Sequence, residues 1–179
     1  MTVSASDFTI RPATGSDTEA LANLAALTFP DASPADMPHA ALEDFMERNL
    51  SEQAFTEYLS QEKYLTHVAQ AVSGELLGYT LVDLDPADIP DDAARPAVYF
   101  SKIYAHRAAR GTGLSRALVE HVIAEVKKLG FVSGFLGTNQ DNARGNAFYE
   151  KLGFEVVGTR ELEVSAGVLG QDFVRVRNF

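Results

Sequence analysis

Two glycines stand directly before a stretch with helical periodicity in the segment ARGTGLSRALVEHV, from Ala109 to Val122. Gly111 and Gly113 can adopt a positive φ, and neither carries a Cβ that would keep a ligand away from the backbone. Consecutive N–H groups in such a turn can point at one place, and the positive end of the following helix dipole adds to them. Anions bind at helix N-termini of this kind. The spacing therefore predicts a binding site for a phosphate or a diphosphate.

Two common phosphate-binding patterns do not account for this loop. The pattern GxxxxGK[ST] is absent, so the chain lacks the lysine and the hydroxyl that hold a nucleoside triphosphate and its magnesium ion. The dinucleotide pattern GxGxxG begins at Gly111 and Gly113 but has Arg116 where the third glycine belongs. The ligand must therefore be a phosphate compound of another class.

A second motif follows after the length of one helix and one strand. It reads NARGNAFYEKLGF, from Asn142 to Phe154, and resembles the N-x-x-A-x-x-F-Y-E-K-x-G-F element of the GNAT family of N-acetyltransferases. Arg110, Gly113 and Ser115 resemble that family's coenzyme A binding motif, Q/R-x-x-G-x-G/A. The order of elements is also similar, so the resemblance covers nearly the whole chain from about Phe8 to the C-terminus.

Two positions depart from the family pattern. Ser115 stands where glycine or alanine is usual, which either crowds the diphosphate slightly or adds a hydroxyl donor. Gly145 replaces a helix alanine, at a cost to the helix of roughly 0.5–1 kcal/mol. We expect Gly145 to leave open space beside Tyr149, one turn later.

The resemblance implies that acetyl-CoA is the acyl donor. Its diphosphate would lie on the loop amides, and its pantetheine arm would pair with the strand before the loop, as an added strand pairs with a sheet edge. Asn142 would hydrogen-bond this arm, although asparagine also favours the N-cap of a helix. The positions assigned to the cofactor are Ile103, Tyr104, Ala105, Arg110, Gly111, Thr112, Gly113, Leu114, Ser115, Asn142, Phe148 and Lys151.

By the same resemblance, Tyr149 is the proton donor for the leaving thiolate. A phenol with a pKa near ~10 protonates a thiolate whose thiol has a pKa near ~8.5 only when geometry or neighbours help, so position decides its role. The alternative is an ordinary packed aromatic. The strand before the loop has no carboxylate, which the family often has there. Deprotonation of the amine is left to Tyr99, Glu75 or Asp83 through water, or to an amine that arrives neutral.

Two acceptor-side segments, LTFPD and LEDFMERNLSEQAFTEYLSQ, resemble the PaiA-type polyamine N-acetyltransferases. A cationic primary amine such as spermidine is therefore the expected substrate. The same acidic residues equally fit the solvated face of an amphipathic helix. A non-catalytic acyl-CoA-binding sensor or regulatory module and a protein N-terminal acetyltransferase stay open as alternatives, although Tyr149 and Asn142 favour catalysis. The positions assigned to the acceptor are Glu43, Glu47, Asp83 and Tyr99.

The elements that position these residues alternate between strands and helices, which predicts a mixed α/β sheet. The resemblance implies one GNAT acetyltransferase domain over residues 1–179, of the α+β class. Its central sheet would be mixed but mostly antiparallel and twisted, with about six or seven strands and helices on both faces. Residues 1–6 are expected to be flexible. The local signals are a strand at Phe8–Ala13, a capping box at Ser16 and Glu19, a proline-rich loop at Phe29–Pro38, a hairpin turn at Ser73–Gly74 and a central strand at Ala97–Ala105.

Composition limits the partners. The 179 residues carry a net charge of −10 and no cysteine. Phosphate binding by nucleic-acid proteins depends on clustered lysine and arginine, so no nucleic-acid partner is expected, whereas a cationic small molecule would be attracted. The four histidines lack metal-ligand spacing, so no metal is expected. No stretch approaches the ~20 apolar residues that span a bilayer. We expect a cytoplasmic protein without a membrane partner, and a homodimer is left open.

Overall fold

The computed structural model describes residues 7–179, in which a seven-stranded sheet carries helices on both faces. The strands are β1 (Phe8–Pro12), β2 (Tyr64–Ala71), β3 (Leu76–Asp83), β4 (Ala97–Ala105), β5 (Ser133–Asn139), β6 (Glu155–Ser165) and β7 (Val168–Asn178). The α-helices are α1 (Thr18–Ala32), α2 (His39–Leu50), α3 (Glu52–Leu59), α4 (Leu114–Lys128) and α5 (Ala143–Lys151). Across the sheet the strand order is β1-β2-β3-β4-β5-β7-β6. The expected flexibility of residues 1–6 lies outside the described part.

Neighbouring strands pair antiparallel except for β4 and β5, which run parallel. Their pairing joins Ala97–Tyr99 to Ser133–Phe135 and then stops. Beyond Tyr99, β4 continues along β3 to Ala105, while β5 continues along β7 to Asn139. The two strands therefore diverge and leave a V-shaped opening in the sheet. The predicted mixed, mostly antiparallel sheet is confirmed.

Two apolar clusters attach the helices to the two faces of the sheet. One lies under α4 and α5 and includes Val122 and Phe154, and the other lies under α1–α3 and includes Phe55 and Tyr79. Complete burial of an aliphatic or aromatic side chain stabilises a fold by about 1.5–3 kcal/mol. The apolar stripe predicted for α4 is buried at Leu114, Leu118, Val122 and Val126.

A β-bulge changes the direction of side chains in the middle of β4. Leu81 of β3 pairs with Lys102, but its neighbour Val82 pairs with Phe100, so Ser101 is an extra residue without a partner on β3. Side chains two apart on a regular strand share a face. Here Phe100 packs in the cluster under α4, whereas Lys102 contacts the ring of Tyr58 in α3 on the opposite face. The bulge is therefore what brings a lysine to the α1–α3 side.

The start and the end of α1 differ from the sequence prediction. Its N-terminus is not a box of Ser16 and Glu19; instead, the carboxylate of Asp17 accepts the Thr14 N–H at 2.7 Å after a 3₁₀ turn. The helix also continues through Pro30 to Ala32, where a loop was expected from Phe29. Proline lacks the N–H group that would bond to the preceding turn of the helix. Because Pro30 stands near the C-terminal end of α1, few backbone hydrogen bonds follow it.

The remaining boundaries lie within a few residues of the prediction, and the largest difference is at β7. This strand begins at Val168. The alternating segment QDFVRVRNF predicts a strand that begins only at Gln171. The hairpin at Ser73–Gly74 joins β2 to β3 as expected. Among the helices formed by residues 7–179, none is both long and apolar enough to cross a membrane.

Candidate active site

The divergence of β4 and β5 opens a cleft of about 660 Å³. This is the size of a cavity that takes a small molecule. Its walls come from α1 and α2 on one side, from β4 and β5 in the centre, and from α5 and the β6–β7 pair on the other. The glycine loop, residues 110–113, lies at its mouth, directly before α4. The two sequence motifs therefore meet at one site, although a helix and a strand separate them along the chain.

The glycine loop presents free amides to this cleft. Gly111 and Gly113 have φ values of 76° and 85°, in the left-handed region that glycine tolerates. A Cβ at either position would meet no atom within 4 Å, so the space above the loop is open. Within residues 111–116, the N–H groups of Gly111, Gly113, Ser115 and Arg116 donate to no acceptor in the described part of the chain, and all four residues line the cleft.

Two amides expected to hold the ligand are already bonded within the loop. The Thr112 N–H donates to the Ala109 carbonyl at 3.3 Å, and the Leu114 N–H donates to the Thr112 hydroxyl at 3.3 Å. Neither Thr112 nor Leu114 lines the cleft. The left-handed Gly111 and Gly113 keep their own amides free on either side of Thr112, whereas Ser115 and Arg116 are free because the first N–H groups of a helix have no intrahelical acceptor. Arg116, which the sequence analysis treated only as a mismatch, supplies the fourth free amide.

A free strand edge continues from the loop into the cleft. Residues 100–105 of β4 pair with β3 but have no partner on the β5 side. Ile103, Tyr104 and Ala105, the positions expected to pair with a pantetheine arm, all line the cleft. An extended molecule with amide groups can hydrogen-bond such an edge as an added strand does.

Arg110 is held by an acidic residue. Its guanidinium donates to the Asp31 carboxylate at 2.5 Å, and Arg107 binds the same carboxylate. The two guanidinium groups, with Arg107 contributing more, hold the pKa of Asp31 well below its usual range. Asp31 thus fastens the last turn of α1 to the glycine loop. Arg110 therefore fixes the loop. It was expected to be a free phosphate ligand, but its guanidinium is already paired with Asp31.

The lining of the cleft is cationic, unlike the chain as a whole. Six of its side chains carry a basic group and one, Asp172, carries a carboxylate. Three of the basic groups form no hydrogen bond or ion pair within the described part of the chain and stand on α4 and α5 near the mouth. The six basic residues are Lys102, Arg110, Arg116, Arg144, Lys151 and Arg160.

Asn142 has the N-cap position that was its alternative assignment. Its side-chain oxygen accepts the Gly145 N–H at 2.9 Å, and its amide nitrogen makes no hydrogen bond within residues 7–179. A Cβ at position 145 would lie 2.5 Å from that nitrogen. Gly145 therefore makes room for the cap of α5, and the expectation that it leaves space beside Tyr149 is wrong. The cap orients a free donor at the edge of the cleft.

Tyr149 lies on the cleft side of α5. Its ring makes edge contacts with Phe148 and Phe154, and both it and Phe148 line the cleft. The phenol makes no hydrogen bond within residues 7–179. Burial, and to a lesser degree the neighbouring Tyr99, raise the pKa of Tyr149. The group therefore stays protonated through the neutral range, with no protein acceptor competing for its proton.

A charged pair from the last two strands borders the same floor. Arg160 of β6 donates to the Tyr99 hydroxyl at 2.9 Å and to the Asp172 carboxylate at 3.3 Å. Burial raises the pKa of Asp172, although the cation opposes the shift. Gly137 on β5 makes this arrangement possible, since a Cβ there would lie only 2.2 Å from the Arg160 guanidinium.

The sequence analysis missed Asp172 because it sought a carboxylate on the strand before the loop. The acid comes instead from β7, and its alignment opposite Arg160 depends on strand pairing. The available signal was a charged residue at the same strand face as Val174 and Val176, two and four positions later. The register that places it in the cleft could not be read from one strand alone.

Lys102 was also missed. It is 8% exposed, and it lines the cleft. Its ammonium group donates to the Ser101 hydroxyl at 3.3 Å and lies 4.9 Å from the centre of the Tyr58 ring. Burial lowers the pKa of Lys102 to about 8. No acidic side chain pairs with it within residues 7–179.

Three of the four residues assigned to the acceptor do not line the cleft. Glu43 and Glu47 border a separate shallow depression on α1 and α2, because the cleft side of α2 carries Phe45 and Asn49 instead. The solvated-face reading of these glutamates agrees with their position. Asp83 accepts the Asp85 N–H at 2.9 Å outside the cleft, and Glu75 likewise does not line it. Only Tyr99 lines the cleft.

No group of three or more histidine, aspartate or glutamate side chains among residues 7–179 is arranged to hold a metal ion. The residues present fit a different kind of ligand. Free amides at the mouth, exposed basic side chains beside them and an unpaired strand edge match a diphosphate followed by an arm with amide groups. The cleft thus has the donors that coenzyme A requires.

Comparison with known proteins agrees with this geometry. The model of the acetyltransferase (GNAT) family matches residues 19–154. An uncharacterized N-acetyltransferase of Mycobacterium tuberculosis is 34% identical over 162 residues, which cover 90% of this chain and 97% of that protein. A 5-NmdU N-acetyltransferase of Pseudomonas phage PaMx11 is 29% identical over 104 residues, 58% of this chain and 66% of that protein.

Solved structures share the fold at lower identity. The PaiA N-acetyltransferase of Thermoplasma acidophilum, in complex with coenzyme A, superposes with a TM-score of 0.78 at 17% identity and covers 96% of this chain and 99% of its own. The ribosomal-protein-S18-alanine N-acetyltransferase of Escherichia coli gives a TM-score of 0.68 at 20% identity over 96% and 93% of the two chains. At these identities the likeness shows the fold alone.

Proposed function

The chain belongs to the GNAT family of acetyltransferases, with acetyl-CoA as acyl donor, and from that premise we propose that it transfers the acetyl group to a primary amine inside the cleft. One observation carries the proposal. Four unpartnered amides and an unpaired strand edge form a continuous surface that leads from the cleft mouth to Tyr149.

The cofactor is held mainly by the backbone. The four free amides donate to the diphosphate at the positive end of α4. Arg116, Arg144 and Lys151 stand beside them and supply positive charge. Ile103 and Ala105 offer their backbone to the arm, and the free amide nitrogen of Asn142 donates to it. When bound, acetyl-CoA supplies an acetyl group activated as a thioester.

Tyr149 holds the proton that the leaving sulfur needs. Its raised pKa keeps the phenol protonated, so the group is a donor at every neutral pH. The same shift makes it a weak acid, and its contribution therefore depends on close positioning by the contacts with Phe148 and Phe154.

Asp172 receives the proton of the acceptor amine. It is the carboxylate that lines the cleft, whereas Glu75 and Asp83 do not. Burial raises its pKa and so makes it a better proton acceptor than an exposed aspartate, while Arg160 keeps it ionised and in place. This assignment replaces the water relays considered from the sequence.

A polyamine acceptor is the finer proposal that came from the sequence. The resemblance of the two acceptor-side segments to PaiA-type enzymes supports it, but the glutamates meant to bind a polycation lie outside the cleft. The lining, with six basic residues and one acid, repels a multiply charged cation. We therefore restrict the proposal to a primary amine of low positive charge.

Thiol release from acetyl-CoA with a panel of amines tests the proposal. The panel includes spermidine, neutral arylalkylamines and amino acids. We expect release with at least one amine, and a loss of about 10²-fold or more in Tyr149→Phe with unchanged affinity for CoA. Tyr64→Phe, outside the cleft, is the matched control.

Three results would oppose this account. Saturable acetyl-CoA binding without thiol release for any amine would indicate the non-catalytic sensor. Full activity in Tyr149→Phe would remove the assigned proton donor while leaving the transfer reaction in place. A preference for spermidine over every other amine would restore the polyamine proposal.

A further inference from the structure

Lys102 is a buried cation that has no counter-ion among residues 7–179. The bulge at Ser101 directs it to the α1–α3 side of the sheet, into the cleft wall. Its ammonium group contacts the Ser101 hydroxyl and the Tyr58 ring, neither of which carries charge. Taking a charge out of water without a partner is unfavourable, and the lowered pKa of about 8 reflects this. The group remains largely protonated at neutral pH and lacks an anion.

The charged pair in the cleft lining does not supply that anion. Asp172 is the acidic side chain in the lining, and Arg160 already binds it. The diphosphate of the cofactor does not supply it either. The glycine loop leads into α4, which packs on the opposite face of the sheet, and other basic residues stand beside that loop. The missing anion must therefore come from the acceptor side of the cleft.

We propose that the acceptor amine also carries a carboxylate, and that Lys102 binds this carboxylate inside the cleft. The inference rests on the proposed acetyl transfer and specifies its substrate. Asp172 contacts the amine and Lys102 contacts the carboxylate, so the two opposite charges in the wall match the two ends of one zwitterion.

The rest of the acceptor side is apolar. Phe29 of α1, Met37 of the following segment and Phe45 of α2 line one side of it, and Leu162 and Val164 line it from β6. These surfaces suit an aliphatic or aromatic body. An apolar amino acid, free or at the end of a larger molecule, combines the amine, the carboxylate and the apolar body.

Product binding tests this without requiring turnover. The probes are the N-acetyl derivatives of L-alanine, L-leucine, L-methionine and L-phenylalanine, each paired with its carboxamide, titrated by calorimetry into the protein saturated with CoA. A hydrogen bond to a charged group contributes about 1.5–3 kcal/mol, which corresponds to roughly a tenfold to hundredfold difference in affinity. We expect at least one carboxylate to bind at least tenfold more tightly than its carboxamide.

Variants of Lys102 test whether this lysine causes the preference for a carboxylate over a carboxamide. Lys102→Met keeps an unbranched side chain without the charge and should abolish the difference between carboxylate and carboxamide, while CoA affinity stays unchanged. Lys102→Arg should retain part of it. Lys127→Met makes the same change on the exposed side of α4 and should leave it intact. In the native protein the preference should decline as pH rises above about 8, because the lysine loses its proton.

The outcomes separate this inference from the proposed function. Thiol release that is equal for amino acids and their amides, with no binding preference in the calorimetry, overturns the role of Lys102 but leaves acetyl transfer intact. A loss of turnover with every amine in Lys102→Met, without a change in carboxylate preference, would make Lys102 a general base instead. Absence of thiol release with any amine would overturn the acetyl transfer itself.

Discussion

The role of an individual residue in this protein depends more on its neighbours in the fold than on its type. Gly137 is the clearest case, since nothing in its flanking sequence marks it. Its missing side chain lets the Arg160 guanidinium lie over β5 and reach both Tyr99 and Asp172. A proton acceptor in the cleft thus depends on a glycine two strands away from the arginine that holds it.

Gly137→Ala should therefore lower the free energy of unfolding by about 1–3 kcal/mol, because the new methyl group collides with Arg160. Urea denaturation measures the change. Gly158→Ala on β6 is the matched control, since a Cβ there meets nothing within 4 Å and its effect should be much smaller. Equal effects of the two substitutions would show that Arg160 moves aside freely.

Lys102 gives a stability prediction that depends on pH. Burial lowers its pKa from 10.5 to about 8, so between these values the unfolded chain binds more protons and stability rises with pH. The cost of burial is fully present below pH 8. Lys102→Met should be more stable than the native protein at pH 7, by up to about 3 kcal/mol, and this advantage should shrink towards pH 10.5.

Denaturation of both proteins at pH 7 and pH 9.5 checks the sign. Because other groups titrate alike in the two proteins, the difference isolates Lys102. Lys127→Met should show no such trend. A native protein that is more stable than Lys102→Met at pH 7 would mean that the cation has a counter-ion in the folded state.

At the scale of elements, the glycine loop and the start of α4 form the anion site. Within residues 111–116 only the amides of Thr112 and Leu114 are bonded within the loop, so the site has four free donors. Ser115 lies in the first turn of α4 and lines the cleft, which makes it the position where a charge can be introduced without changing the loop conformation.

Ser115→Glu should weaken acetyl-CoA binding by at least about tenfold, because a carboxylate repels the diphosphate. Its melting temperature should stay the same or rise, since an acidic residue in the first turn of a helix is favourable by about 0.3–1 kcal/mol. Ser115→Gln, with nearly the same shape and no charge, is the control. A loss of affinity in both variants would indicate crowding and not charge, and no loss in either would place the diphosphate elsewhere.

Most elements were predictable from the sequence, and the reasons are local. The strand at Ala97–Ala105 was predicted from its β-branched and aromatic residues, α4 from its helical periodicity and the hairpin from its turn at Ser73–Gly74; each depends on neighbouring residues and each is confirmed. The bulge at Ser101 was not predictable, because it exists only in the pairing with β3. The end of α1 was misjudged because Pro30 was read as a helix terminator.

The candidate site divided in the same way. The glycine loop, Asn142 and Tyr149 are carried by motifs within one segment, and the structure brings them to one cleft. Asp172 reaches the cleft through strand register and Lys102 through a bulge, so no single segment of the sequence indicated either residue. Glu43 and Glu47 were chosen by charge, but the rotation of α2 about its axis turns them away.

For the whole molecule, net charge and site charge have opposite signs. The chain carries a net charge of −10, which favoured a cationic partner, whereas the cleft is lined by six basic side chains and one acid. Acidic residues elsewhere keep the protein soluble, and the cleft attracts an anionic cofactor locally. The net charge of the whole chain therefore predicted the wrong sign for the charge of the cleft in which the ligands bind.

The most direct test of the account is a titration of ¹⁵N-labelled protein with acetyl-CoA, followed by amide chemical shifts and by couplings between amide nitrogen and phosphorus. We predict large shifts and nitrogen–phosphorus couplings at Gly111, Gly113, Ser115 and Arg116, with smaller changes at Thr112 and Leu114, whose amides are bonded within the loop. Saturable binding that leaves those four amides unchanged would contradict the central claim, because the cofactor would then be held elsewhere.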